Sequence, residues 1–255
     1  MVSIEHNKGS VRVSLSKSKL AVMQSSSKIL AFSPHPDDSE EFAGGFLCQA
    51  VNRGARVKIV VVSDGRKGSH DATDEEKVAE KRRQEQEMAA KKMGAEKTEY
   101  LGYKDTEVPQ PRIMRDLLMS HMRLFRPQLV VTLDPALPNE AHLDHVYTGI
   151  AVMEAVLLLH HPTIASGDPV ERSKRPYLAL AATHRPNVIV NIEDTIEKKV
   201  EVVICHSSQI RDPAAYKKSL LHTAIRYGKM AGYKYGEAFR VLEPQQLHCD
   251  LWPEG

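Results

Sequence analysis

Two short clusters of histidine and aspartate contain the side chains of this sequence that are best suited to bind a metal. In the first cluster, His35 and Asp38 are three residues apart, and a proline on either side of His35 makes their turn rigid. An imidazole and a carboxylate at this spacing can converge on one cation. Asp37 stands between them, where a second carboxylate is well placed to accept a proton from water. The alternative is that the acidic turn only caps the next helix.

The second cluster, His142-Leu143-Asp144-His145, supplies a third ligand and further acid/base groups. Apolar runs at 28–33 and 129–133, predicted to be strands, precede the two clusters. Because sites in open α/β sheets form outside the carboxyl ends of strands, we expect the clusters to meet. Two histidines and one aspartate around a cation are typical of a catalytic zinc site. We therefore interpret His35, Asp38 and His145 as metal ligands.

The elements that must position these clusters alternate between strands and helices, which predicts a mainly parallel sheet. Strands are expected at 28–33, 56–63, 97–101, 128–133, 177–182 and 187–192, and helices at 41–53, 75–93, 109–125 and 146–159. Helix 75–93 is highly charged, and we interpret it as mostly exposed to solvent, with Arg82 as the exception. Helix 109–125 carries apolar residues at helical spacing, which predicts a buried face. These residues are Ile113, Leu117, Leu118, Met122 and Phe125.

Composition limits the kind of protein this is. With 255 residues and 42% hydrophobic content, the chain can bury the core of one domain. The net charge of +2 comes from interspersed charges, which argues against a nucleic-acid partner. Cys48, Cys205 and Cys249 are odd in number and far apart, which argues against a disulfide framework. Neither a signal-peptide core nor a membrane span is evident, and we expect a cytoplasmic protein.

The first cluster, followed by Glu40 and Gly44-Gly45, and the later His-x-Asp-His together resemble the LmbE/PIG-L family of zinc-dependent N-deacetylases. The resemblance extends over about residues 28–250. It implies an α/β, Rossmann-like three-layer sandwich at 28–255, preceded by an accessory extension at 1–27. It also implies one zinc ion per chain, an N-acetylated sugar or glycoside as substrate, and assembly into a homo-oligomer, a trimer or a hexamer.

The same resemblance, together with the residue types, implies roles around the metal. Asp37 is expected to be the general base, and His142 to lie beside the oxyanion. Asp144 is expected to orient His142 or His145 from outside the ligand set. The turn departs from the family at Leu143, where a proline is usual.

Three further residues are candidates for contact with substrate. Arg82 with Glu85 matches an Arg-x-x-Glu pair of the family, and its planar guanidinium suits a hydroxyl or a carboxylate, although a surface ion pair is equally compatible with the sequence. Asp105 lies in a loop whose counterpart is near the substrate pocket. Tyr216 could reach the pocket as a hydrogen-bond donor, but it could also be an ordinary exposed tyrosine.

Three alternatives to a deacetylase stay open. A catalytically silent metal-binding scaffold would keep the ligands, but it would have no need of a non-ligand carboxylate at Asp37. An HD-type phosphohydrolase would depend on His70-Asp71, which lies in a polar loop. A nucleotide-binding Rossmann protein lacks its Gly-x-Gly-x-x-Gly motif here. Within the deacetylase interpretation, the substrate could be a free sugar, a chitobiose-like disaccharide, a thiol-linked glycoside or a lipid-linked one; the absence of a membrane segment disfavours the last.

Overall fold

The computed structural model describes residues 14–69, 73–165 and 175–248. The strands are β1 (Lys28–Ser33), β2 (Arg56–Ser63), β3 (Glu99–Tyr103), β4 (Leu129–Leu133), β5 (Tyr177–Ala181), β6 (Val188–Asn191) and β7 (Gly236–Leu242). The helices are α1 (Lys17–Ser25), α2 (Asp38–Asn52), α3 (Glu75–Met93), α4 (Pro111–Phe125), α5 (Leu143–Leu158), α6 (Ile196–Val203) and α7 (Pro213–Lys229). The described residues thus alternate between strands and helices, as the sequence predicts.

The strands form one sheet in the order β3-β2-β1-β4-β5-β7-β6. All neighbours from β3 to β5 are parallel, whereas β7 runs antiparallel to both β5 and β6. Parallel strands covered on both faces are apolar along their whole length. Ile29 and Leu30, which point to opposite faces of β1, are accordingly both fully buried. The predicted mainly parallel α/β architecture is confirmed.

Helices cover both faces of this sheet and give the fold three layers. On one face, α2, α3, α6 and α7 pack over a core that includes Phe46 and Phe239. On the other face, α4 and α5 pack over a second core that includes Met114 and Val152. No helix in the described parts of the chain has the length and apolar character needed to cross a membrane.

The part of the predicted extension that the structure describes packs on the domain. Residues 14–27 include α1, whose Met23 is fully buried in the first core. The backbone N–H of Ser16 also donates a hydrogen bond to the carbonyl of Asn187 over 2.8 Å. Residues 1–13 lie outside the described residues, so the boundary at residue 27 stays a prediction.

The prediction for the buried face of α4 is partly wrong. Leu118 and Met122 are fully buried, but Ile113 is 68% exposed and Leu117 is 40% exposed. The buried face of α4 instead includes Met114, Leu118 and Met122, which repeat every four residues. Because Ile113 and Leu117 each precede a member of that face by one residue, they lie about 100° around the helix and face outward.

The chain order of the strands creates a crevice at the carboxyl ends of β1 and β4. From β1 the chain continues outward through β2 and β3, and it then returns to β4 on the other side of β1. Adjacent strands whose connections leave in opposite directions form the topological switch point where open α/β sheets bind ligands. The turn after β1 and the loop after β4 carry the two His/Asp clusters to this point.

Candidate metal centre

Three side chains from the two clusters meet at the switch point in a nearly equilateral triangle. His35 Nδ1 lies 3.1 Å from His145 Nε2 and 3.3 Å from Asp38 Oδ2. The third side, from His145 Nε2 to Asp38 Oδ2, is 3.5 Å. Ligand atoms at about 2.0–2.2 Å from one tetrahedral ion are separated by roughly 3.3–3.6 Å. These three atoms therefore fit three corners of a tetrahedral metal site, and they form one of the residue groups that could hold an ion.

Local structure positions the two candidate ligands of the first cluster. The helix α2 begins at Asp38, three residues earlier than the sequence predicts, so this ligand lies in the first helical turn. Its Oδ2 also accepts a 2.8 Å hydrogen bond from the backbone N–H of His35. Burial by itself would raise the pKa of Asp38, but the imidazoles of His35 and His145 lower it to about 2. The carboxylate is thus held in its ionised, metal-binding form.

The other ring nitrogen of His35 faces two carboxylates. His35 Nε2 lies 3.2 Å from Asp144 Oδ2 and 3.3 Å from Asp105 Oδ1. Burial lowers the pKa of His35, but its contacts with Asp105, Asp144 and Asp38 outweigh this and raise the pKa well above its ordinary value. A carboxylate on the far nitrogen fixes the tautomer and orientation of a ligating imidazole. These contacts are those of residues that orient a ligand.

This geometry corrects two predictions. Asp144 contacts His35, and not His142 or His145, because its carboxylate also accepts a 2.9 Å hydrogen bond from the backbone N–H of Thr106 and is held on the His35 side. Asp105, predicted to contact substrate, is only 4% exposed. Its Oδ2 accepts a hydrogen bond from the backbone N–H of Lys67, and its Oδ1 faces His35.

His145 is oriented by a residue that the sequence analysis missed. Glu140 Oε2 lies 3.1 Å from His145 Nδ1, and Glu140 Oε1 accepts a 2.8 Å hydrogen bond from the backbone N–H of His142. One carboxylate thus braces both histidines of the second cluster. Glu140 lies in a loop of proline, asparagine and small residues, where no periodicity marks it, and only its position five residues before His145 hints at the contact.

Asp37 precedes the candidate ligand Asp38 and does not belong to the group that His35, Asp38 and His145 form. Its backbone φ is +119°, a conformation that residues other than glycine rarely adopt and that costs about 1–3 kcal/mol. Burial raises the pKa of Asp37 well above its ordinary value, against the opposing charge of Arg82. The side chain keeps 20% of its surface exposed. A carboxyl group in this state is suited to exchange protons with a bound substrate or water.

Arg82, predicted to contact substrate or to form a surface ion pair, does neither. It is 4% exposed, and its Nη2 donates to Asp37 Oδ2 over 3.0 Å and to the carbonyl of Pro36 over 2.6 Å. Its Nη1 donates to the carbonyl of Gly65 over 3.0 Å. The guanidinium fork therefore holds the turn that contains Asp37. Glu85, its predicted partner, instead accepts hydrogen bonds from the side chains of two serines at 207 and 208.

His142 occupies the open side of the centre. Its ring stacks on that of His145, with the centroids 4.9 Å apart, and its Nε2 lies 3.9 Å from Asp105 Oδ1. The side chain is 38% exposed. Burial, followed by the charges of His35 and His145, lowers the pKa of His142. His142 is thus the more exposed histidine of the second cluster, since the side chain of His145 is 19% exposed.

Tyr216 lies at one side of a cavity of about 260 Å³. Its hydroxyl donates a 2.6 Å hydrogen bond to Glu41 Oε2, and Glu41 is on α2, one turn after Asp38. The lining also includes Leu137, from the loop that also carries Glu140. The residues that line the cavity thus include one from the helix that begins at Asp38 and one from the loop before His142.

The second of the two glycines after the first cluster, Gly45, allows α2 to pack closely on β7. The backbone N–H of Gly45 donates a 2.8 Å hydrogen bond to Glu237 Oε1, and a Cβ at this position would lie 2.9 Å from Ile192 Cγ2. Lys199 Nζ donates to the same Glu237 oxygen over 2.6 Å. This buried ion pair anchors the helix whose first turn contains Asp38. The alternative His-Asp pair at 70–71 lies outside the described residues.

Comparison with known proteins agrees with this arrangement. The family model described as PIG-L, GlcNAc-PI de-N-acetylase, matches residues 30–156. The chain is 32% identical over 228 residues to a diacetylchitobiose deacetylase of Thermococcus kodakarensis, covering 87% of this chain and 85% of the relative. The chain belongs to the PIG-L family. This is a family of metal-dependent deacetylases, and the His/Asp centre described above is where such an activity would reside.

Two further relatives extend the agreement within the PIG-L family. A structure of N,N'-diacetylchitobiose deacetylase from Pyrococcus horikoshii, in complex with an inhibitor, superimposes with a TM-score of 0.85 at 33% identity, covering 90% of this chain and 89% of that one. A probable N-acetyl-alpha-D-glucosaminyl L-malate deacetylase 2 of Bacillus cereus is 25% identical over 195 residues, covering 71% of this chain and 83% of the relative. The predicted family and fold are confirmed.

Proposed function

We propose that this protein is a zinc-dependent hydrolase that removes the acetyl group from an N-acetylglucosamine-containing small molecule. The observation that carries the proposal is the His35, Asp38 and His145 triangle with the non-ligand carboxylate of Asp37 beside it. A scaffold that only held a metal would not need that carboxylate. Two imidazoles and one carboxylate are a donor set suited to zinc in a catalytic site.

Different residues around the centre have different roles in amide hydrolysis. When bound, the cation supplies a Lewis acid that lowers the pKa of a water from ~15.7 towards ~7. Asp37 accepts the proton of the attacking water and delivers it to the nitrogen of the leaving amine, so that acetate and a free amine result. His142 stabilises the negative charge that develops on the acetyl oxygen. Glu140 orients His145, while Asp105 and Asp144 orient His35.

The cavity beside Tyr216 is the proposed site for the rest of the substrate. A volume of about 260 Å³ suits a sugar-sized group. Aromatic and hydroxyl side chains line it, including Phe42, Tyr216, Thr223 and Tyr227. Such a surface can stack on the apolar face of a sugar ring and bond its hydroxyls. Among the substrates considered, a chitobiose-like disaccharide gains support from the relatives that are 32% and 33% identical.

Acetate release tests the proposed activity directly. Zinc-loaded protein is incubated with N-acetylglucosamine, with diacetylchitobiose and with an N-acetylated amino acid as a control amide. We expect acetate from the sugars, loss of activity with a chelator, and recovery when zinc is restored. If the metal-loaded protein releases no acetate from any N-acetylglucosamine compound, the proposed function is wrong.

Metal analysis tests the ligand set separately. His35→Ala and His145→Ala should each lose bound metal, because each removes one corner of the triangle. His161→Ala is the matched control, since this exposed histidine lies outside the centre. If the two ligand variants retain as much metal as His161→Ala, the assigned ligands are wrong.

We also propose that the chain assembles into a homo-oligomer, a trimer or a hexamer, in the cytoplasm. On α4, the side chains of Ile113 and Leu124 are 68% and 71% exposed and lie on one side of the helix. Exposed apolar side chains on one face of a helix suit contact with another protein surface. The thiols of Cys48 and Cys205 are free, which suits a reducing compartment; Cys249 lies outside the described residues. Light scattering that detects only monomer would contradict the assembly.

A further inference from the structure

Asp37 has an unfavourable backbone conformation, which contacts with surrounding residues must stabilise. Its φ of +119° and ψ of −33° lie outside the regions that residues with a Cβ favour. No hydrogen bond from its own side chain caps α2. Residues in such conformations persist only where surrounding contacts determine them. The contacts in question come from α3, which packs beside the turn.

Two residues of α3, four positions apart, form hydrogen bonds with the polar groups around Asp37. Arg82 Nη2 donates to the carbonyl of Pro36 over 2.6 Å and to Asp37 Oδ2 over 3.0 Å. Gln86 Oε1 accepts a 3.2 Å hydrogen bond from the backbone N–H of Asp37. The peptide before Asp37 and its carboxylate are therefore held by Arg82, and its backbone N–H is held by Gln86.

The side-chain amide of Gln86 is itself held in one orientation. Its Nε2 donates a 2.7 Å hydrogen bond to Glu40 Oε1, and both residues are fully buried. If the amide were flipped, its NH₂ group would meet the backbone N–H of Asp37, and the carbonyl oxygen would face the carboxylate of Glu40. Glu40 belongs to the first turn of α2, where its backbone N–H donates to the carbonyl of Asp37. The contacts thus close a loop through Gln86, Glu40 and Asp37.

We propose that Gln86 is a positioning residue for Asp37. It accepts the backbone N–H of Asp37 and thereby holds the left-handed conformation that places the carboxylate beside the metal ligands and within reach of Arg82. The inference rests on the proposed role of Asp37 as the proton acceptor. This role explains why α3, whose side chains are mostly charged, buries the uncharged Gln86, although no substrate can reach that side chain.

The test compares two identical substitutions on the same helix. Gln86→Met keeps the length and volume of the side chain but removes both hydrogen bonds of the amide. Gln84→Met is the matched control, because Gln84 is exposed and its amide donates to Glu80, which also lies on α3. Both variants are prepared with zinc, and metal content, kcat and KM for diacetylchitobiose are measured. Crystal structures of the parent and of Gln86→Met give the backbone of Asp37.

We expect Gln86→Met to keep its metal and a KM within about twofold of the parent, while kcat falls by about 10–100-fold, since misplacing a catalytic group by about 1 Å costs on that order. In its crystal structure, Asp37 should leave the positive φ region or lose its contact with Arg82. Gln84→Met should match the parent throughout. A double variant, Gln86→Glu with Glu40→Gln, exchanges the two side chains, so that position 86 keeps an acceptor oxygen for the N–H of Asp37 and meets an amide at position 40. It should recover part of the lost kcat.

The inference is overturned if Gln86→Met turns over as fast as Gln84→Met, or if its loss of activity follows a loss of metal. Should Gln86→Met fail to fold, the double variant Gln86→Glu with Glu40→Gln decides: a positive φ at Asp37 with kcat within about tenfold of the parent supports the role, and a greater loss contradicts it. The crystallographic comparison needs no substrate. A parent protein without deacetylase activity would therefore contradict the proposed function, while the backbone of Asp37 would still test the role of Gln86.

Discussion

Acid should destabilise this protein in part by charging one buried histidine. His206 is 1% exposed, and neither of its ring nitrogens has a hydrogen-bond partner among the described residues. Burial, followed by the positive charge of Arg82, lowers the pKa of His206 to about 3. In the unfolded chain a histidine has a pKa of about 6.5. Between these pH values the unfolded state binds more protons, so the free energy of unfolding falls as the pH is lowered from 6.5 to 3.

The expected effect is large enough to measure. One pH unit within this interval corresponds to about 1.4 kcal/mol. Lowering the pH from 7.5 to 5.0 should therefore cost about 2 kcal/mol of unfolding free energy through this ring, because only the part below about 6.5 contributes. Urea unfolding followed by circular dichroism gives the free energy at both pH values. The protein is first stripped of metal, so that release of the ion does not contribute.

Substitution isolates the contribution of the ring. His206→Gln removes the titrating group, and its loss of stability between pH 7.5 and 5.0 should be about 2 kcal/mol smaller than that of the parent. His161→Gln, at an exposed position, should behave like the parent. If the parent and His206→Gln lose equal stability over this interval, burial does not keep the ring of His206 neutral and the reasoning is refuted.

Two more substitutions test contacts that support the centre. Lys199→Met should lower the free energy of unfolding by about 3–5 kcal/mol, because it leaves the buried carboxylate of Glu237 without its cation. In urea unfolding, adding Glu237→Gln should recover most of that loss. A Lys199→Met variant as stable as the parent would contradict the argument. Glu140→Ala should weaken metal affinity by about 10–100-fold, because His145 loses the group that orients it. Competition with a chelator measures this affinity, and an unchanged value would show that Glu140 is not needed.

The sequence predicts the parts of this structure that depend on local pattern. Apolar runs mark the central strands, and β1 and β2 have the predicted bounds. The helix α3 also has its predicted bounds; Asp74 caps its start, and it ends before the left-handed Gly94. The two His/Asp clusters could be placed together because each follows a strand of a predicted parallel sheet, and sites in such sheets form outside the carboxyl ends of strands.

Residues whose role depends on contacts between distant segments could not be found in this way. Glu85 and Gln86 lie on a helix whose composition predicts an exposed face, yet they are buried because residues 206–209 and the turn at Asp37 pack against it. Glu140 supports His145 from an irregular loop without periodicity. The outward-facing Ile113 shows the converse. Its apolar side chain predicts burial, but the packing of the helix leaves it exposed.

Replacement of the non-ligand carboxylate of the first cluster tests the central claim most directly. Asp37→Asn keeps the size of the side chain but removes the proton acceptor. Acetate release from diacetylchitobiose and metal content are measured together for the parent, Asp37→Asn and Asp38→Ala. Turnover of Asp37→Asn should fall by about 10²–10⁴-fold, with metal content equal to that of the parent, whereas Asp38→Ala should lose its metal. Full deacetylase activity in Asp37→Asn, or a loss of metal as complete as in Asp38→Ala, would contradict the account.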